Sequence, residues 1–394
     1  MTYAYYRSIF QTQKAPFAFV DMNALDENIK TINKRAKGRN IRIATKSVRC
    51  RYLLQYIEEK LAHDFGFMAF TSEEALWLAQ NGFKNILIGY PMMDEKYVDE
   101  ILSNTAYSQA ITFMVDSVSH VEFLNKIALK YQQKVNVCVD IDMSTQFPGI
   151  YFGVYRSSLK NAVDLSKLID ACSSFTTINW KGLMGYEAQI AGVGDNVKGK
   201  SLMNSIIKFL KKRSIKTIAE RRASCLKVFA AKGIQLDFVN GGGTGSIEST
   251  LEESGVTEIT VGSGFYQSHL FDNYSNFKHK PAAAFGLQIV RQPQKNMFTA
   301  LGGGYIASGA TDKNKTPKAF LPEGMQLIAN EGAGEVQTPF VYKGNESLKI
   351  GDIVFFRHAK AGELCERFNE LILVRDSKIE QSVPTYRGEQ KCFL

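Results

Sequence analysis

The sequence predicts an α/β protein: a (β/α)8 barrel followed by a mostly β C-terminal domain. Three observations carry this. Eight short apolar runs between residues 41 and 264 alternate with helical stretches. Several of the runs are apolar on both faces, as parallel strands buried between layers are. Near residue 281 the texture changes, and short strand patterns with many turn residues replace the long helical period. Eight parallel strands joined by helices are the count of a closed barrel, with a doubly wound open sheet as the alternative.

In chain order, "FAFVD" (17–21) is a first short strand, and Met22 to Lys37 is a helix with Leu25, Ile29 and Ile32 on one side. The eight barrel runs follow: "IRIATK" (41–46), "GFMAF" (66–70), "NILIGY" (85–90), "ITFMVDS" (111–117), "VNVCVDID" (135–142), "WKGLMGYE" (180–187), "LDFVNGG" (236–242) and "EITVGSG" (258–264). A basic amphipathic helix spans 206–233, its apolar positions being Ile207, Leu210, Ile215, Ile218 and Leu226. From "PAAAFGLQIVRQP" onward come "MFTALGG", "GMQLIAN", "EVQTPFVY", "DIVFFRHA", "ELILVRD" and "IEQSVPTY", all strand-like. The expected domains are therefore 1–280 and 281–394. No repeat of fixed period and no low-complexity tract interrupts them.

The composition excludes several classes. The chain has 394 residues, 45% hydrophobic and 22% charged, enough for two packed domains and unlike a disordered chain. The six cysteines have no CxxC spacing, which points to reduced thiols rather than a disulfide framework. The N-terminal stretch has no apolar signal region, and no run approaches the ~18 apolar residues of a membrane span. The expectation is a cytoplasmic protein without a membrane partner. The net charge of +9 is concentrated in the 206–233 helix, where it reads as a solvated outer face. No aromatic-interleaved basic motif or zinc spacing supports nucleic-acid binding.

"NIRIATKSVRC" (40–50) places Ile41 and Ile43 outward and Arg42, Ala44 and Lys46 on the other face. Catalytic groups of such barrels sit at the C-terminal strand ends, where Lys46 falls. An amine becomes nucleophilic when burial or nearby positive charge disfavours its ammonium form, and Arg42, Arg49 and Arg51 lie close in sequence. A lysine snorkelling to water is the plain alternative. "DFVNGGGTGS" (237–246) then follows the seventh run, and "VGSGFY" (261–266) ends the eighth. Consecutive glycines turn backbone N–H groups toward one point and make an anion nest, with Thr244 and Ser246 adding hydroxyls. Barrels often hold phosphate at the loops after strands seven and eight. Neither the dinucleotide fingerprint nor the Walker loop is satisfied. A tight turn is the alternative for either loop alone. A candidate amine opposite two phosphate loops suggests pyridoxal phosphate.

With these segments in hand, the chain resembles the fold-type III pyridoxal-phosphate enzymes, the alanine racemase barrel group, and within it the D-threonine aldolase and D-serine dehydratase branch. A narrower amino-acid deaminase/aldolase subgroup is similar in "KSVRC" and "RHAKAGELCERFNEL". The segments that carry the resemblance are "APFAFVDMNALDENI" (15–29), "IRIATKSVRC" (41–50), "KGLMGYEAQ" (181–189), "VNGGGTGS" (239–246), "EITVGSGFY" (258–266) and "GDIVFFRHAKAGELCERFNELILV" (351–374), which run in the family's order.

The resemblance implies that Lys46 carries the cofactor covalently and that Tyr186 lies against its ring. It implies that Asn240, Gly242, Gly243 and Thr244, with Gly262 and Ser263, hold the cofactor and its phosphate. It also implies a homodimer that completes the active site across its interface. The arginine that the family sets near the cofactor's phenolic oxygen is replaced by Gln146 at the matching place, with Arg156 as the other candidate. At the place of a family histidine stands Gln189, which can hydrogen-bond but is no base at neutral pH.

Family aldolases and dehydratases carry a divalent metal, zinc or manganese, on a short H-x-C or H-x-D run. Here the run is "HAKAGELC", giving His358 and Cys365 at a longer spacing, a donor pair that suits zinc. A strand-end histidine and a small core cysteine are the structural alternative. The function so implied is a lyase acting at Cα/Cβ of a β-hydroxy amino acid of D configuration, an aldolase or a dehydratase. The other readings are an amino-acid racemase and a non-enzymatic cofactor-binding protein.

Overall fold

The computed structural model describes residues 2–62, 65–310, 312 and 314–394. The chain forms two compact units, neither of which is one continuous stretch.

The first unit comprises Asn33–Lys46, Leu61–Gly262 and Phe393–Leu394. Its eight parallel strands close into a barrel: Asn40–Ala44, Phe65–Ala69, Ile86–Pro91, Ile111–Val115, Val135–Asp140, Ile178–Gly185, Phe238–Gly241 and Glu258–Val261, hereafter the first to eighth barrel strands. Closure is made by the eighth strand on the first, with Ile259 opposite Ile41 and Val261 opposite Ile43. The interior is filled rather than hollow, as this architecture requires. Leu87, Met114, Cys138, Met184 and Phe238, one from each of the third to seventh strands, form one buried cluster. Gly182 leaves room for Phe238, since a Cβ there would lie 2.2 Å from the ring. Several helices between the strands start on side-chain caps. Thr71 accepts from the Glu74 N–H, and Ser117 from the His120 N–H. Each cap satisfies an otherwise orphaned donor.

The long helix runs over Ser201–Ala231 and differs from the expected amphipathic stripe. Leu210 and Ile218 are buried as expected, but Ile207, Ile215 and Leu226 are only half-buried. The buried face also carries Lys211, Ser214 and Arg222. Partners explain this: Lys211 pairs with Asp195 at 3.3 Å, and Arg222 pairs with Glu187 and Glu253. Conversely, Leu202, Met203, Ile206 and Phe209 in its first turns are exposed.

The second unit comprises the chain up to Ile32, Ser47–Lys60 and Ser263–Cys392. It is built on a nine-stranded sheet. The strand Phe17–Asp21, expected to precede the barrel within residues 1–280, belongs to this sheet. It lies between Ala283–Gln294, antiparallel, and Glu370–Arg375, parallel. A helix that the sequence reading did not contain, Tyr3–Ile9, covers it. Tyr6 and Phe10 pack with Phe19 and Phe355 at ring-centroid distances of 4.9–6.0 Å. The Tyr6 hydroxyl donates to Asp21 at 2.7 Å. The strand Lys318–Leu321, also unexpected, pairs with Ile353–Arg357. Among the described residues, no helix is long and apolar enough to cross a membrane.

Candidate active site at the barrel mouth

The C-terminal ends of the barrel strands bring a set of polar side chains together. Lys46 lies in the 3-10 turn Thr45–Ser47 just after the first strand and is exposed. Its Nζ donates to the Tyr90 hydroxyl at 2.6 Å and stands 5.3 Å from that ring's centre. Tyr90 comes from the third strand, Ile86–Pro91. The Arg156 guanidinium lies 5.5 Å from the Tyr90 ring centre and 5.1 Å from that of Tyr186, which directly follows the sixth strand. Tyr186 in turn borders the glycine loop after the seventh strand. A Cβ on Gly243 would fall 3.3 Å from its Cε2 and 2.8 Å from the Ala191 Cβ. A continuous line of contacts therefore runs from an amine, through two phenols bridged by a guanidinium, to a glycine turn.

The electrostatics follow from this arrangement. Burial pushes the Tyr90 phenol up, but Lys46 and Arg156 outweigh it and hold the group below the ordinary phenol value. Tyr186 has less compensation; burial pushes it up to about 12 despite Arg156. Asp140, the last residue of the fifth strand, is pushed up to about 8 by burial, with Arg156 opposing and Asp116 and Asp142 reinforcing.

The glycine loop is held from below. Gly242 has φ +82°, a left-handed conformation that glycine adopts at no steric cost, and a Cβ there would meet Ile259 at 2.8 Å. The Gly243 N–H donates to Ser246 Oγ at 3.0 Å, and Ser246 donates to Glu187 at 3.1 Å. Thr250 also donates to Glu187. Arg222 binds Glu187, the Gly185 carbonyl and Glu253. Arg35 donates to the Thr244 carbonyl at 2.8 Å and to Glu248. A buried charge network of this kind fixes the loop's backbone, as a ligand cradle needs.

The expected residues fall into three groups. Lys46, Arg156, Tyr186, Gly242 and Gly243 are brought together with Thr244, which is buried in the same loop. Gln146, Asn240 and Gln189 are placed otherwise. Gln146 is exposed in the hairpin of Thr145–Phe147 with Ile150–Phe152. The Asn240 amide is engaged within the barrel, donating to Glu258 at 2.8 Å and to Thr260 at 2.9 Å. Gln189 is buried and donates to the Met143 carbonyl at 2.6 Å, while its carbonyl oxygen finds no partner among the described residues. Gly262 directly follows the eighth strand, and Ser263 opens the next short helix.

His358 and Cys365 belong to the β unit. Neither ring nitrogen of His358 has a partner among the described residues, and burial, with Arg357 and His269 adding to it, pushes its pKa down to about 3. The Cys365 thiol is pushed well up by burial and donates to the Val48 carbonyl at 3.3 Å. Among the described residues, no group of three or more His, Cys, Asp or Glu side chains is arranged to hold a metal. A neutral imidazole with both nitrogens unpartnered suits a metal, and a thiol ligates one by giving up its proton. The expected donor pair has no third such donor beside it among the described residues.

Tyr90, Asp140 and Glu187 were not among the expected residues. Tyr90 and Asp140 carried one legible signal: a polar group at the C-terminal end of an otherwise apolar barrel strand.

Residues 20–269 match the family model of the alanine racemase N-terminal domain. The chain belongs to this family. It is 22% identical over 251 residues to the 3-hydroxy-D-aspartate aldolase of Paracoccus denitrificans strain Pd 1222, covering 64% of this chain and 59% of that protein. The solved D-threonine aldolase of Filomicrobium marinum superposes with a TM-score of 0.78 at 16% identity, covering 95% of both chains. The D-threo-3-hydroxyaspartate dehydratase of Delftia sp. HT23 gives 0.74 at 16% identity, covering 96% of this chain and 98% of that one. An alanine racemase of Clostridium difficile 630 also matches, with a TM-score of 0.66 at 15% identity over 94% of this chain and 99% of that one. At such identities the structures share the fold of this chain.

Proposed function

We propose that this chain is a pyridoxal-phosphate-dependent lyase acting at Cα/Cβ of a β-hydroxy amino acid of D configuration. The observation that carries the proposal is the line of contacts from the Lys46 amine through Tyr90, Arg156 and Tyr186 to Gly243. The residues fit the cofactor. Lys46 offers an exposed amine at the barrel mouth, Tyr186 an aromatic face, and Arg156 a cation for the phenolic oxygen. Gly242 and Gly243 form a turn with no room for side chains, suited to a phosphoryl group. The names of the two matched aldolases and the matched dehydratase, which act on D-configured β-hydroxy amino acids, support the substrate class.

Pyridoxal phosphate, when bound, supplies an electron sink for the pair left at Cα when a bond there breaks. The chain's own residues do the rest. Lys46 would hold the cofactor, and its amine is the group of this chain that would carry a proton at Cα. Arg156 keeps positive charge beside the two phenols. The Glu187–Arg222–Glu253 network keeps the glycine loop in one conformation, so that little reorganisation accompanies binding. His358 and Cys365 have no assigned step, because no third donor joins them among the described residues. A racemase needs two bases on opposite faces of the cofactor. Lys46 and Tyr90 touch each other and do not provide them.

The test is a screen of D- and L-threonine, serine and 3-hydroxyaspartate against cofactor-loaded protein, with product identification. Aldehyde or oxo-acid release from a D isomer supports the proposal. Interconversion of isomers without cleavage, or no product and no cofactor band, overturns it. Sedimentation of the same sample reads out the homodimer implied by the family resemblance.

A further inference from the structure

The Lys46–Tyr90 contact bears on how the cofactor is attached, a question that rests on the proposed function. Tyr90 Oη lies 2.6 Å from Lys46 Nζ, close enough for direct proton transfer. Tyr90 is half-buried on a barrel strand, so its position is fixed by the sheet rather than by a loop. The groups whose charge reaches its phenol are Lys46 and Arg156, which favour the phenolate, and Asp140, which opposes it. The contact joins an exposed amine to a half-buried phenol beside a guanidinium. Neighbouring polar groups of the barrel that serve structure, such as Arg42 and Glu258, are buried ion pairs instead.

We propose that Tyr90 is the proton carrier for the condensation of Lys46 with an aldehyde. The balance of that reaction defines the task. Lys46 nitrogen begins as an ammonium, forms its bonds to the aldehyde carbon and gives up two protons. The carbonyl oxygen breaks both bonds to that carbon, takes up two protons and leaves as water. The Tyr90 oxygen takes each proton from nitrogen and returns it to the departing oxygen, ending in the state in which it began. No oxidant or further reactant is required. Arg156 keeps the phenol acidic enough to give the proton up, and the same relay runs in reverse when a substrate amine displaces Lys46.

The test is the rate at which cofactor-free protein condenses with pyridoxal phosphate, and with pyridoxal lacking the phosphate, followed by absorbance across a range of pH. Reduction with borohydride and peptide mapping locates the label. In the wild type the label falls on Lys46 and is absent in Lys46→Ala. Tyr90→Phe keeps the ring and slows condensation about 100-fold, the scale of a positioned acid–base group, while the final extent of labelling is retained. It also removes one limb of the pH–rate profile. A ring-fluorinated tyrosine at position 90 keeps shape and hydrogen bond but has a more acidic phenol, and it moves that limb to lower pH. A purely structural tyrosine would leave the limb in place in both variants, and that result overturns the inference even if Lys46 is labelled. Failure of the wild type to be labelled at Lys46 overturns the proposed function itself.

Discussion

Arg42 and Lys46 stand four residues apart on the same run of chain, and the protein treats their charges in opposite ways. Arg42 is buried at 1% exposure and fully engaged. It donates to both oxygens of Glu258 at 2.6 and 2.9 Å, to the Phe67 and Asn85 carbonyls, and to the Asn85 side chain. Its guanidinium also stands 5.0 Å from the centre of the Phe238 ring. Lys46 is exposed, and its amine donates to the Tyr90 phenol. A carboxylate partner fixes a cation permanently; a phenol can exchange a proton with it. A structural charge thus sits at the middle of the first barrel strand, and the charge proposed for chemistry just beyond its end.

Four substitutions test this difference. Lys46→Met lowers lyase turnover about 1,000-fold, the range for a lost acid–base group. Because the side chain is exposed, its urea-unfolding stability stays within about 0.5 kcal/mol of the wild type. Glu258→Gln does the reverse. It leaves Arg42 with an uncompensated buried charge and destabilises the barrel by about 3–5 kcal/mol in the same unfolding measurement.

Asp140 provides the pH-dependent case. Its folded pKa of about 8 lies above the ordinary 3.8, so the folded state holds the proton more tightly than the unfolded chain does. The contribution of this group to stability is complete below about pH 4 and is lost as pH rises toward about 8. Asp140→Asn removes that loss. We expect it to stabilise the protein at about pH 8 by about 2 kcal/mol, the scale of desolvating a polar group, and to change little at about pH 4. Unfolding midpoints at the two pH values check this.

Gly243→Ala brings a methyl group against Ala191 and Tyr186 and weakens pyridoxal phosphate binding about tenfold, or about 1.4 kcal/mol, by equilibrium dialysis. Of the four, it has the smallest effect.

The same contrast explains what could be read from residues alone. All eight barrel strands were legible, because each is a short apolar run bounded by polar or turn residues, and the glycine loops and Lys46 fell at strand ends. Arg42 was legible only as a position facing away from Ile41 and Ile43; its partner Glu258 lies 216 residues away, and nothing local announces it. Asn240 shows the same limit, since its commitment to Glu258 depends on barrel closure. Arg156 and Gln146 could not be ranked because Gln146 lies in a hairpin, residues 145–152, whose pairing is not announced locally, while Arg156 follows it and returns to the mouth. The helix Tyr3–Ile9 did carry a local pattern, with Tyr3, Tyr6 and Phe10 buried at helical spacing and Thr2 capping it. The strand Phe17–Asp21 was recognised as a strand, but its neighbours come from residues 283–286 and 371–374, distances over which periodicity says nothing.

That strand has a consequence for biosynthesis. A ribosome releases Phe17–Asp21 long before Glu370–Arg375, which forms one of the two edges it must pair with. Until then Phe17, Phe19 and the aromatic face of the first helix have no finished sheet to join, and a nascent chain would need a chaperone to shield them. Placing a slow-translated stretch before residue 370 should therefore raise the aggregated fraction, whereas the same stretch after residue 384 should not.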